Sequence, residues 1–77
     1  MNEPVNVVVS FNGAKVKPLA FQRQGREYQI DKVNLAYTNQ EEGVKVYYFA
    51  VSDQGNYYSL CFNPMTLQWR LREIYWE

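Results

Sequence analysis

Chemistry in this chain would have to come from carboxylates, tyrosines, arginines and one thiol, because the sequence contains no His and a single Cys, Cys61. His general bases, His-based metal sites and an intrachain disulfide are thereby excluded. The carboxylates are placed for solvation. Glu41, Glu42 and Asp53 fall in expected turns, Glu3 and Glu77 lie at the ends, and Asp31 sits at an expected bend where a local backbone bond is its role. The sequence carries no nucleophile motif, no phosphate-cradling Gly loop and no metal-ligand cluster. The expectation is a protein that is not an enzyme, with no catalytic residues, no metal and no cofactor. Cys61 then reads as a small buried strand residue.

The residues with most to offer are Tyr48, Tyr57, Arg70 and Arg72, which the pattern of the last three expected strands gathers on one sheet face. Two rings and two guanidinium planes would flank a floor of small residues, Ala50, Ser52, Ser59 and Cys61, with Thr38, Ala36 and Asn34 extending it. Such groups anchor protein partners or stack the bases of a single strand. They also serve as ordinary solvent-face strand residues, covering a sheet through cation–π and cross-strand packing. As a function, the set implies an interaction module that binds a protein partner or itself through a sheet face. The alternative is a barrel that binds single-stranded nucleic acid through Tyr and Arg.

The elements that must position these residues are strands. β-branched and aromatic residues make up 26 of the 77 positions, against 9 for Ala and Leu together, and no segment keeps a helical period. Turn chemistry recurs at Asn12-Gly13, Gln24-Gly25, Glu41-Glu42-Gly43, Gln54-Gly55 and Asn63-Pro64-Met65-Thr66. This spacing predicts a six-stranded antiparallel meander forming one domain over 1–77, ordered from about Val5 to Trp76.

Register follows from loop parity, since directly opposed residues share a face. An even loop at Asp53–Asn56 sets Val51, Phe49 and Tyr47 opposite Tyr58, Leu60 and Phe62. An even loop at Asn63–Thr66 sets Leu67, Trp69 and Leu71 opposite Phe62, Leu60 and Tyr58, which puts Arg72 beside Tyr57, Arg70 beside Ser59 and Cys61 between Gln68 and Tyr48. Matching Val33, Leu35 and Tyr37 to Val51, Phe49 and Tyr47 requires an odd, three-residue loop ending at Gly43. At the front, Asn12-Gly13 sets Val9 opposite Val16 and Phe11 opposite Ala14, and Gln24-Gly25 pairs Phe21 with Tyr28, Leu19 with Ile30 and Val16 with Val33. Apolar parity switches near Pro18 and Asp31, which predicts a bend or bulge where the sheet curls into a small SH3-like or roll-type barrel. Of the apolar residues that could serve self-association, Ile74-Tyr75-Trp76 is the candidate patch, although Trp76 is rather expected to fold back and close the barrel against the first strand.

The charge balance, 8 basic against 8 acidic residues, gives no generic attraction to nucleic acid or membrane surfaces. The N-terminus has no secretory pattern and the run from Val46 to Val51 is too short to span a bilayer. A cytoplasmic location without a membrane partner is the expectation.

Phe21-x-x-x-Gly25-Arg26-x-Tyr28-x-Ile30, Val33, Tyr37, Tyr58-x-Leu60-x-Phe62 and Trp69-x-Leu71-x-x-Ile74-Tyr75 together form a pattern over roughly residues 15–76. It resembles a group of small bacterial β-domains of unknown function, some of them fused to the C-terminus of Y-family DNA polymerases. Arg23 and Tyr37 stand where such domains often carry Trp. The resemblance implies a bacterial cytoplasmic setting and an association with DNA-handling proteins, and it brings no functional residues with it.

Overall fold

The computed structural model describes residues 2–76, and the side chains of 2–75. Seven strands are joined by turns: β1 (Glu3–Asn12), β2 (Lys15–Arg23), β3 (Arg26–Gln29), β4 (Lys32–Glu41), β5 (Val44–Asp53), β6 (Asn56–Asn63) and β7 (Gln68–Trp76). They form one antiparallel sheet in the order β3-β2-β1-β7-β6-β5-β4. The described residues contain no helix, and so none long and apolar enough to cross a membrane.

The count is seven where six are expected because the third expected strand breaks at Ile30–Asp31. Its first part, β3, pairs with β2 and its second, β4, pairs with β5, at opposite edges of the sheet. Two edges joined by two residues must approach one another, so the sheet curls into a half-barrel. Ile30 and Asp31 bridge the corner, with the Ile30 N–H donating to the Leu19 carbonyl at 3.0 Å and the Asp31 N–H to the Ser52 carbonyl at 2.9 Å. The expected bend at Asp31 is this corner.

The concave face holds the core. Phe49, Leu60, Trp69 and Leu71 are buried there as expected, together with Val5, Phe21, Val51, Tyr58 and Phe62. Phe62 stacks on Trp69 with centroids 4.8 Å apart, and the edge of Tyr58 meets Phe21 at 4.9 Å. The β5–β6 register is the expected one, Val51 to Tyr58, Phe49 to Leu60 and Tyr47 to Phe62, around a two-residue turn at Gln54-Gly55. Phe21 opposite Tyr28 also agrees, and the two rings stack at 5.0 Å.

Elsewhere the chain adjusts register with bulges rather than with loop length. The Gly43 turn has two residues, Glu42 and Gly43, closed by Glu41 opposite Val44. The odd loop is therefore incorrect, and Leu35 and Tyr37 lie opposite Ala50 and Tyr48 on the convex face. One extra residue, Asn34, then reverses the parity and returns Val33 to the concave face opposite Val51. Ala36, paired with Phe49, and Thr38, paired with Tyr47, consequently lie on the concave face and do not extend the convex one.

Two further bulges act in the same way. In β2 the extra residue is Leu19, between Pro18 opposite Val9 and Ala20 opposite Val8, which confirms a bend beside Pro18. In β7 it is Arg72, between Leu71 opposite Leu60 and Glu73 opposite Ser59, so Tyr58 faces Ile74 rather than Leu71. The β6–β7 loop has the expected four residues but lies one residue later, at Pro64–Leu67, closed by Asn63 opposite Gln68. The Asn63 side chain accepts from the Met65 N–H at 2.9 Å, its carbonyl accepts from the Leu67 N–H at 2.8 Å, and Leu67 is left exposed instead of opposite Phe62.

The first hairpin does not turn on Asn12-Gly13. Asn12 pairs with Lys15 and the turn is Gly13-Ala14, which sets Phe11 opposite Val16 and Val9 opposite Pro18. Only Gly13 of that turn has positive φ, at 62°, as a Gly-first hairpin requires. The register brings Val7 opposite the fully buried Phe21, so burial overrides the turn preference. Val16 does not pair with Val33: β2 and β4 share no ladder, and the barrel has an open seam between them. The expected fold of the Trp76 side chain against β1 lies outside the described residues.

Candidate contact face

The convex face of β4–β7 carries the candidate residues. Along β5 the convex positions are Val46, Tyr48, Ala50 and Ser52, because Tyr47, Phe49 and Val51 turn inward. Val46, Tyr48 and Cys61 form a small second cluster there with Val44 against it. Tyr48 is 7% exposed, so it is a packed residue of this outer cluster rather than a projecting ring.

Both ring faces of Tyr48 are occupied. Tyr37 stacks with it at 5.1 Å and 9° between planes, while the Arg72 guanidinium lies 5.8 Å from its centroid and an Arg72 Nη1–H donates to its hydroxyl at 3.4 Å. Arg72 also faces the Glu41 carboxylate at 4.0 Å. The displaced β6–β7 turn produces this arrangement, because Gln68 opposite Asn63 sets Leu71 opposite Leu60 and so carries Arg72 towards Tyr48 and Glu41 rather than opposite Tyr57.

The remaining two candidates occupy other rows. Arg70 is opposite Cys61, not Ser59, and donates to the Asn2 carbonyl at 3.5 Å. Arg70, Arg72, Cys61, Glu41 and Asn2 line a hollow of 160 Å³. Tyr57 lies opposite Ser52 on one side and Tyr75 on the other, a row that does not include Tyr48. The structure thus brings Tyr48, Arg70 and Arg72 to one end of the face and leaves Tyr57 at the other.

Burial pushes the Cys61 thiol above its ordinary value, with the Arg72 hydrogen bond and charge opposing the rise. A thiol held protonated is a poor nucleophile, which suits a packing role. The hydrogen bond that the Tyr75 hydroxyl donates to Glu73 raises the Tyr75 phenol.

Three exposed residues join this face that the sequence register does not place on it. Leu35 and Tyr37 lie here because the Gly43 turn is even, and Tyr75 because of the Arg72 bulge. They are 56%, 49% and 50% exposed, and Ala50 and Ser59, in the row that runs from Leu35 to Glu73, give the area between them a floor of small side chains. A signal for Tyr75 exists in the sequence: Leu71 and Ile74 are three apart, a spacing that can share one strand face only across a bulge. Comparison of the chain with protein-family models, with curated proteins and with solved structures finds no match.

Proposed function

We propose that this domain is a non-catalytic interaction module that binds a protein partner, or a second copy of itself, through the convex face of β4–β7. The observation that carries the reading is the grouping of three exposed large side chains, Leu35, Tyr37 and Tyr75, around a small-residue floor on the face that also holds Tyr48, Tyr57, Arg70 and Arg72. Aromatic and Arg anchors beside a flat, small-residue surface suit a protein interface. The resemblance to small bacterial β-domains supports a bacterial cytoplasmic setting.

Protein is favoured over single-stranded nucleic acid because Tyr48 is sandwiched between Tyr37 and Arg72, so neither of its faces is open to a base. Arg72 is further engaged by Glu41. Stacking on a single strand contributes about 1–3 kcal/mol per ring and weakens steeply with salt. Fluorescence anisotropy with mixed-sequence oligonucleotides at low salt, beside sedimentation and affinity capture of the wild type and a Tyr57→Ala/Arg72→Ala variant, tests the reading. The expected result is no oligonucleotide binding, with a larger mass or a captured partner that the variant loses. Identical mass and identical captured proteins for both forms would reduce this face to a solvated sheet surface.

A further inference from the structure

The two strand edges that border the open seam lack partners in the sheet. β4 is the last strand and pairs only with β5, while the pairing of β2 with β3 begins at Ala20 and leaves the edge at Lys15–Pro18 uncovered. Hairpin geometry identifies the free backbone groups. Glu41 and Val44 flank a two-residue turn and exchange both hydrogen bonds, so Thr38 and Ala36 direct their N–H and C=O groups away from β5 and into the seam, whereas the outward N–H of Gln40 donates to the Asn39 side chain at 3.0 Å. By the same alternation from Lys15, Val16 directs its own pair into the seam from the other side.

Between these edges runs a groove of 410 Å³ lined by Val16, Ala36 and Thr38, with Tyr47 and Phe49 among its lining residues. From Leu35 to Gln40 the edge of β4 contains neither a charge nor a Pro, and its one bulge, at Asn34, precedes the residues that line the groove. Every residue of β4 except Val33 is exposed, including Ala36 and Thr38 on the concave face. Among the described residues the only charges lining the groove are Lys15 and Lys17, and Lys45 stands 5.7 Å from the Tyr47 ring. Glu41, the nearest acid on β4, faces Arg72 on the other side of the sheet.

We infer that the seam receives one extended segment of a partner protein, in which apolar and acidic residues alternate. The segment adds as a strand along β4. Its apolar side chains enter the groove above Tyr47 and Phe49, and its acidic side chains, on the convex side, meet Lys15 and Lys17, which lie on that side because Val16 between them turns inward. The occupant is a single segment because β2 bounds the seam opposite β4. A second copy's β4 would bring its own β5 into the place of β2. The seam is separate from the convex contact face, and neither reading depends on the other.

Three nine-residue synthetic peptides test this: one alternating Val and Glu, one alternating Val and Lys, and the Val/Glu peptide N-methylated at alternate residues. Affinity is read by fluorescence anisotropy and contact by backbone amide exchange. The Val/Glu peptide should bind at least about tenfold more tightly than the Val/Lys peptide, since like charges placed together across an interface are unfavourable. It should slow exchange at Val16, Ala36 and Thr38, and N-methylation should abolish both effects. A Lys15→Glu/Lys17→Glu variant should reverse the preference, while Tyr57→Ala/Arg72→Ala should bind the Val/Glu peptide as the wild type does. No binding by the Val/Glu peptide, equal binding of all three, or protection at other amides would overturn the proposal. So would a doubled solution mass of the free protein with the same amides already protected, which would make a second copy the occupant.

Discussion

Three hairpins turn on a polar residue followed by Gly, and both residues of each turn have positive φ: 53° and 75° at Gln24-Gly25, 52° and 80° at Glu42-Gly43, 43° and 96° at Gln54-Gly55. That is the type I′ requirement, and Asn meets it at the first position with less strain than Glu or Gln. Glu42→Asn should therefore stabilise the domain by about 0.5 kcal/mol, and Gly43→Val should destabilise it by more than about 1 kcal/mol. Nothing lies within 4 Å of a Cβ at Gly43, so the loss would arise in the backbone and not from a clash. Denaturant midpoints check both values, and a Val variant as stable as the wild type would contradict the turn assignment. The need for Gly at position 43 was legible in the sequence, whereas the length of the loop was not. Both an odd loop and an even loop with a later bulge place Val33 correctly.

Two buried groups set a pH dependence at the same scale. Burial, with help from Asp53, raises the Tyr58 phenol above its ordinary 10.0, and burial raises the Cys61 thiol above its ordinary 9.0. A group whose value rises on folding holds its proton more tightly in the folded state. Its contribution to stability is complete below the unfolded value and is lost as pH rises through the folded one. Unfolding midpoints should hold up to about pH 9 and fall above it, with Cys61→Ala delaying the onset towards the range where Tyr58 ionises. A midpoint that rises between pH 9 and 10.5 would reverse the sign and remove burial as the cause.

At the scale of elements, the single-residue insertions Leu19, Asn34 and Arg72 explain most of what the sequence did and did not reveal. Each allows inward residues spaced three apart, Pro18 with Phe21, Val33 with Ala36, and Leu71 with Ile74. The parity switch near Pro18 was legible as a bend. In β7 two signals stayed hidden: the turn lies one residue later than its Asn-Pro signal suggests, which moves Arg72 away from Tyr57, and the bulge at Arg72 turns Ile74 inward and Tyr75 outward. Tyr48 and Arg72 shared a face under either register, so that half of the candidate site was visible from alternation alone. Deleting Asn34 should carry Val33 to the convex face and Lys32 to the concave one, at a cost of more than about 2 kcal/mol, whereas Asn34→Ala should change stability by under about 1 kcal/mol. Equal stability of deletion and substitution would mean that the bulge does not set the register.

The whole molecule is unevenly supported, because one covalent corner holds a curled sheet whose two sides do not meet. β1 pairs with β7 only from Glu3 to Val5, so the outer part of the β1–β2 hairpin extends past the sheet with Phe11 63% exposed. β4 is likewise supported by β5 alone. The centre is different: Leu60 is fully buried, with Phe49 and Leu71 as its strand partners on either side. Local opening free energies should follow this geometry, since strands with few buried contacts and solvent-exposed hydrogen bonds open without global unfolding. Native-state amide exchange should show global protection at Phe49 and Leu60, intermediate protection at β4 residues bonded to β5 such as Tyr37 and Asn39, and the weakest at Val16, Ala36 and Thr38. Leu60→Ala, costing about 2–5 kcal/mol, should lower protection at the centre by that amount and leave the seam amides unchanged, because these already exchange from the folded state. Protection at the seam equal to that at Leu60 in the free monomer would show that β2 and β4 close on one another in solution, leaving no slot to fill.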